Sequence, residues 1–282
     1  MKTLLKWAGR GFAALLMVFV LAAAFVWLRS EATLRQTYPK PTSAGLKLDG
    51  GAAQIERGRH LATIYGCNDC HGADLTGLLF HDEPAVARLW APNLTHVARD
   101  WSAEDIDRAL RHGVRPDGRG LWVMPASAFS RLSDEDASAV IAYLKTQGAR
   151  GSVRPRLKVG PVGRVGVVLG KFEGEVELLK APRAPADLGP QLRRGRYLAM
   201  TACAECHGMA LEGSKGALTT PDLTIAAAYD KPGFERFLRT GVAADGKPRG
   251  LMTQMAKTRF AHFTPEEFDA LYAYLVARAE RQ

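Results

Sequence analysis

Cys67-Asn68-Asp69-Cys70-His71 and Cys203-Ala204-Glu205-Cys206-His207 use all four cysteines of the chain. Within each stretch two thiols stand three positions apart, so on a helical turn they point the same way. Cys-x-x-Cys-His is the attachment signature of a c-type haem. The thiols reach the two vinyl groups of one porphyrin, and the His that follows is held under the iron as an axial ligand. Competing chemistries fit less well. A thioredoxin-like pair needs a βαβ setting and no following His. A zinc site joins two Cys pairs at short spacing, whereas more than a hundred residues separate these two. A disulfide within each pair is open to any such motif in an oxidising compartment. Two signatures inside an internal repeat favour two covalently bound haem c groups, through Cys67, Cys70 and His71 and through Cys203, Cys206 and His207.

An iron held by one His keeps an open sixth position, and its occupant separates electron transfer from chemistry. Met124, followed by Pro125, is the candidate in the first half. Alignment on Phe129 and Phe260 sets Met255 opposite Met124, each five positions before its Phe, although Ala256 replaces the proline. A lone Met is more often core filler, but recurrence at one place in two repeats weakens that explanation. Met252 is a rival to Met255. His81, His96, His112 and His262 have no repeat counterpart and read as structural or surface groups. His60 faces Tyr197 in the repeat, which argues against a ligand role.

The elements that must position these residues repeat as well. Gly58-Arg59-His60-Leu61-Ala62 and Gly195-Arg196-Tyr197-Leu198-Ala199 lead into the two motifs, with one residue fewer in the second half. The loops Pro92-Asn93-Leu94-Thr95 and Pro221-Asp222-Leu223-Thr224 follow. Next come a helix carrying Ile106 and Leu110, with Ser102 and Asp105 able to cap it, and its match carrying Phe234 and Leu238; Gly113 and Gly241 end them. Each half closes on a capped helix, at Ser133-Asp134-Glu135-Asp136 and at Thr264-Pro265-Glu266-Glu267. Their apolar faces are Ala137, Val140, Ile141, Leu144 and Phe268, Leu271, Tyr272, Leu275. The domain plan is thus 1–30 membrane anchor or signal, 31–51 connector, 52–148 first haem domain, 149–190 linker, and 191–282 second haem domain.

Lys2, Lys6 and Arg10 precede an apolar run from Phe12 to Leu28. Its length is at the lower limit for crossing a bilayer and long for a signal-peptide core. An uncleaved anchor is favoured over cleavage after Ala24 or Ala32, with the positive end cytoplasmic and the rest facing outward. The connector, broken by Pro39, Pro41, Gly45, Gly50 and Gly51, is expected to hold the first domain off the membrane. In the linker, Pro155, Pro161, Pro182, Pro185 and Pro190 exclude a continuous helix. Val165-Gly166-Val167-Val168-Leu169 reads as a short strand or an apolar patch, and the linker is expected to pack across the haem domains. The charge of +9 suits an acidic partner or an anionic membrane surface. The basic residues are scattered without a nucleic-acid module, so no nucleic acid is expected. No general acid, base or nucleophile is signalled.

Taken together, the two motifs, the Pro-Asn/Asp-Leu-Thr loops, Arg111-His112-Gly113-Val114 with Arg239-Thr240-Gly241-Val242, Met124-Pro125 and the Leu132-Ser133-Asp134-Glu135-Asp136 helix start resemble class I cytochrome c domains. The tandem arrangement is similar to bacterial membrane-bound dihaem cytochromes c and to cytochrome subunits of periplasmic alcohol and aldehyde dehydrogenases. The resemblance implies an all-α fold, two cytochrome c-like domains behind an N-terminal transmembrane helix, with Met124 and Met255 as sixth ligands. It implies electron transfer at the periplasmic face of the inner membrane, from a dehydrogenase or other donor to an oxidase, another cytochrome or a similar respiratory acceptor. Its alternative is a haem enzyme, peroxidase-like or thiosulfate-oxidising, with catalysis at the second haem. It further implies a close crossing of first and last helices at Gly58 and Gly195, near Tyr143 and Tyr274. Asn93, Thr95, Trp101, Arg111, Asp222, Thr224, Tyr229 and Arg239 are then candidate contacts to the haem edge or propionates.

Overall fold

The computed structural model describes residues 2–43, 45–155, 157–180, 183–215 and 218–281, so Pro182 of the linker lies outside the described residues. Helix α1 (Lys2–Leu34) runs past the apolar stretch and beyond residue 30. Within its segment Leu5–Leu34 the most apolar 18 residues have a mean hydropathy of 2.5 and none of that stretch is covered by protein; among the described residues it is the one helix long and apolar enough to cross a membrane.

The first half holds α2 (Ala52–Ile64), α3 (Cys67–His71), a hairpin of β1 (Leu79–Glu83) and β2 (Ala87–Trp90), α4 (Leu94–Asp100), α5 (Ala103–His112), α6 (Ala126–Phe129) and α7 (Asp134–Lys145). Ser102 accepts from the Asp105 amide to start α5, and Gly113 ends it at φ +66°. That places Ile106 and Leu110 in the core. Helix α2 crosses α7 at Gly58, where a Cβ would lie 1.9 Å from the Ala139 carbonyl oxygen and 2.7 Å from the Tyr143 Cβ. Only a missing side chain permits that approach.

The linker adds β3 (Lys158–Val159), which pairs antiparallel with β2, then α8 (Pro161–Val168) and α9 (Glu175–Leu179). The Val165–Leu169 run is therefore helical, not a strand. Pro161 at the first helical position presets the turn, and packing against α1 overrides the β preference of its valines. Arg164 binds it there: its guanidinium lies 3.7 Å from the Trp27 ring centre and donates to Ser30 Oγ at 2.9 Å and to Glu31 Oε2 at 2.8 Å.

The connector packs along the first domain. Thr37 bridges Arg119, the Tyr38 amide donates to Gly118 O at 2.8 Å, Ser43 donates to Asp107, and the Lys47 amide donates to Ser138 Oγ at 2.9 Å. An extended chain whose polar groups need partners finds them along the first domain, so the connector binds that domain to the foot of α1.

The second half repeats the plan with α10 (Arg193–Leu198), α11 (Ala204–His207), the short strands β4 (Ser214–Lys215) and β5 (Thr219–Thr220), a 3-10 turn Leu223–Ala228, α12 (Lys231–Thr240), α13 (Leu251–Thr258) and α14 (Pro265–Ala279). Helix α10 crosses α14 at Gly195, where a Cβ would meet Ala270 O at 1.9 Å and Tyr274 Cβ at 2.6 Å. With one residue fewer before the second motif, the chain runs on without a break through a π-helical turn over Ala199–Cys203. In the first half Gly66, at φ +73°, breaks the chain instead. Helices dominate and the strands are short, as an all-α reading requires.

The halves share one continuous apolar core and exchange polar contacts reciprocally. Asp136, third residue of α7, accepts from Tyr197 Oη at 2.6 Å. Glu267, third residue of α14, accepts from His60 Nε2 at 2.8 Å. His60 and Tyr197 are repeat counterparts, as are Asp136 and Glu267. Each acid also meets an arginine of its own half: Arg57 Nη2 donates to Asp136 at 2.6 Å and Arg194 Nη2 to Glu267 at 3.3 Å.

Candidate functional site

The first motif folds as the single helical turn α3, and the second runs from the end of the π-helical turn at Cys203 into α11; each ends in a glycine of positive φ, Gly72 at +82° and Gly208 at +78°. The turn sets Cys67 with Cys70, and Cys203 with Cys206, on one side. All four thiols are unpaired. Burial pushes the thiols of Cys67 and Cys203 up to about 12. Burial, followed by the charge of Glu205, pushes Cys70 up to about 11 and raises Cys206 too. Burial thus favours the protonated form of these thiols.

The two imidazoles are buried and held identically. His71 Nδ1–H donates to Pro92 O at 2.8 Å, and His207 Nδ1–H donates to Pro221 O at 2.9 Å. This hydrogen bond fixes the tautomer, so Nε2 carries the free lone pair. Among the described residues neither Nε2 meets a hydrogen-bond partner. Burial lowers the pKa of both rings and keeps them neutral. Each half thus presents two protonated thiols and one oriented imidazole donor, the set that thioether attachment and axial ligation of haem need. Among the described residues no three His, Cys, Asp or Glu side chains converge as a bare-metal site.

The loops that supply Pro92 and Pro221 are rigid for a local reason. Asn93 accepts from the amides of Thr95 and His96 to start α4, and Asp222 accepts from the Thr224 amide to start the 3-10 turn. The residues expected at the haem edge also make local bonds of their own. Asn93 also donates to Arg150 O, and Thr95 donates to Asn93. Arg111 is held by Asp107 and Asp134, Arg239 by Glu235, and Asp222 by Arg278. The carbonyls of Trp101 and Tyr229 accept from Lys145 and Tyr272. These residues build the loops and helix ends.

The two methionines differ. Pro125 stands at the start of α6 and keeps Met124 outside that helix, partly buried against the core. With Ala256 in place of the proline, α13 runs through Met255, which is 8% exposed. Met252, one turn earlier, also packs against the core. His60, considered above, is bound to Glu267.

Residues 53–144 match the family described as cytochrome C oxidase, cbb3-type, subunit III, and residues 192–278 match cytochrome c. Each half is a cytochrome c domain. Such domains carry covalently bound haem c, and two domains are consistent with two haems. The tandem cytochrome c chain is 26% identical to the fructose dehydrogenase cytochrome subunit of Gluconobacter japonicus, over 94% of this chain and 59% of that protein. It is 25% identical to a diheme cytochrome c-type protein of Cereibacter sphaeroides, over 93% of this chain and 96% of that one. It is 34% identical to the cytochrome c subunit of a quinone alcohol dehydrogenase of Gluconobacter oxydans, over 34% of this chain and 22% of that protein. The chain thus spans less than two thirds of either dehydrogenase subunit.

Two features of the interface escape sequence reading. One is the reciprocal acid exchange described above. The other is Arg259, which lies between Asp69 and Glu205, the third residues of the two motifs. The acids themselves were visible, but nothing local in the sequence joins them.

Proposed function

We propose that the protein is a dihaem electron carrier on the periplasmic face of the inner membrane, passing electrons from a dehydrogenase or another redox donor to a membrane oxidase or another cytochrome. The observation that carries this reading is the matched His71–Pro92 and His207–Pro221 hydrogen bonds, which occupy Nδ1 and leave Nε2 of each motif imidazole available as a ligand. Cys67 and Cys70, and Cys203 and Cys206, would form the thioethers; His71 and His207 would be the first axial ligands, and Met124 and Met255 the second. Bound haem supplies a one-electron redox centre whose potential His/Met ligation raises. The protein's own part is to fix the imidazole tautomer, keep the thiols neutral until attachment, and surround both sites with a shared apolar core. Relatives named as cytochrome subunits of dehydrogenases support a dehydrogenase as donor. The apolar α1, with Lys6 and Arg10 at its start, supports insertion as an uncleaved anchor.

Absorption spectra of the purified protein, oxidised and reduced, with a haem count and a carbon monoxide challenge, test the proposal. Two covalent low-spin haems and no carbon monoxide binding are expected. A second reading, catalysis at the second haem, draws on the helical setting of Met255. It requires a carbon-monoxide-binding fraction of about half, in line with an open or weak distal position.

A further inference from the structure

A charged cluster unused by either reading sits where the two motifs meet. Aligned on Phe129 and Phe260, the repeat counterpart of Arg259 is Ala128, a fully buried small residue. Arg259 is 5% exposed. Its Nε donates to the Asp69 carboxylate and its Nη1 to Glu205 Oε2 at 2.7 Å. These acids hold the same place in their motifs, each directly before the second Cys. One guanidinium therefore satisfies two equivalent carboxylates, one from each half. Burial alone would lower its pKa; Glu205 and then Asp69 more than offset this and keep it charged. Gly66, next to Cys67, makes room for it: a Cβ there would lie 2.1 Å from the guanidinium carbon.

We infer that Arg259 is a positioning residue for electron passage between the two sites: it clamps the two haem-attachment turns against each other and holds their shared electrostatic environment near balance. The inference rests on the reading that both motifs carry haem. The cluster holds two negative charges and one positive. Without Arg259 the carboxylates face each other unpaired, and like charges at close range repel. Added negative charge beside both irons favours the oxidised state, so both potentials fall. Removing the two carboxylate charges acts in the opposite direction.

The test uses the full-length haem-loaded protein in detergent, as wild type, Arg259→Lys, Arg259→Met and the pair Asp69→Asn with Glu205→Gln. Haem content, both midpoint potentials by spectroelectrochemistry, and the magnetic interaction between the two oxidised haems by electron paramagnetic resonance are measured. Arg259→Met is expected to keep two haems, lower both potentials and lose the magnetic interaction; inter-haem electron transfer slows by about tenfold or more, since small displacements of a positioned pair cost orders of magnitude. Arg259→Lys keeps the charge and retains potentials near wild type. The neutralised acids raise both potentials. If Arg259→Met does not accumulate, the triple variant Arg259→Met, Asp69→Asn, Glu205→Gln buries no unpaired charge; with one negative charge fewer than the wild-type cluster it should bring the potentials to wild type or above and still lose the magnetic interaction. Unchanged potentials and interaction in haem-loaded Arg259→Met, or an unchanged interaction in the triple variant, overturn the inference. Fewer than two haems in the wild type overturns the underlying reading instead.

Discussion

At the scale of single residues, the two methionines make the sharpest distinction. Met255→Ala is expected to open the second iron to carbon monoxide, lower that haem's potential and cost about 2–5 kcal/mol as a core truncation, whereas Met252→Ala leaves the spectrum unchanged. An unaltered spectrum in Met255→Ala, with carbon monoxide binding in Met252→Ala, would transfer the ligand role to Met252. Arg111 offers a second test. Its guanidinium binds Asp107, which is 0% exposed. Arg111→Gln leaves that carboxylate buried without its cation and should destabilise by about 3–5 kcal/mol with unchanged haem potentials, as chemical denaturation and redox titration would show. The motif residues were legible because covalent attachment dictates residue type and spacing together. Arg111 was less legible, because its place in the repeat is equally compatible with the ion pairs it makes to Asp107 and Asp134 and with a cofactor contact. Arg259 was invisible because its partners come from two segments that only the docked halves bring together.

At the scale of elements, the helix crossings followed from the family resemblance, which set Gly58 and Gly195 where backbones approach closely, and both approaches are present. Gly58→Ala and Gly195→Ala each place a Cβ 1.9 Å from a backbone oxygen that cannot rotate away. The helices must separate, at a cost of about 1–3 kcal/mol each, measurable as a lower denaturation midpoint. Equal midpoints in either variant would mean that the crossing is looser than described. The helix starts were legible for the same reason: Ser133 and Thr264 satisfy amides that have no partner inside the helix. The reciprocal half of the capping box forms only at Thr264, where Glu267 returns to the Thr264 amide. Asp136, one carbon shorter, is directed to Arg57 and Tyr197 instead. The linker helix α8 was not legible, because its valines favour a strand until α1 and Arg164 provide a surface to pack on.

At the scale of the whole molecule, the interface has a defined pH dependence. Burial would raise the Glu267 carboxyl, but His60, the Thr264 amide and Arg194 outweigh it, and its pKa lies below the ordinary value. A depressed carboxylate stabilises fully above its unfolded pKa of about 4.3 and loses that contribution as pH falls through its lowered folded value. Calorimetry should therefore show the halves unfolding together near neutral pH and separating into two transitions below about pH 4. Glu267→Gln should separate them already at neutral pH; a single transition in that variant would show that the apolar core alone couples them. At the other end of the molecule, Arg164→Ala should loosen the foot of α1 and expose residues 35–51 to protease without altering haem content. Equal cleavage rates would reduce the Trp27–Arg164 contact to surface packing. Neither behaviour could be read from the sequence, since each depends on which domain faces the connector and the linker.

The reciprocal exchange of Asp136 and Glu267 between the halves has the form of an isologous contact, the kind a symmetric dimer makes across its axis. The chain thus meets itself as two fused copies of one subunit would. Arg259 and Ala128, at equivalent positions of the repeat, break the equivalence. Two first halves brought together would set one Asp69 against another with no cation between them. Two second halves would crowd two Arg259 side chains into a space built for one. Only a first half with a second half sets one cation between the two acids, so the asymmetry is expected to discriminate against like-with-like pairing.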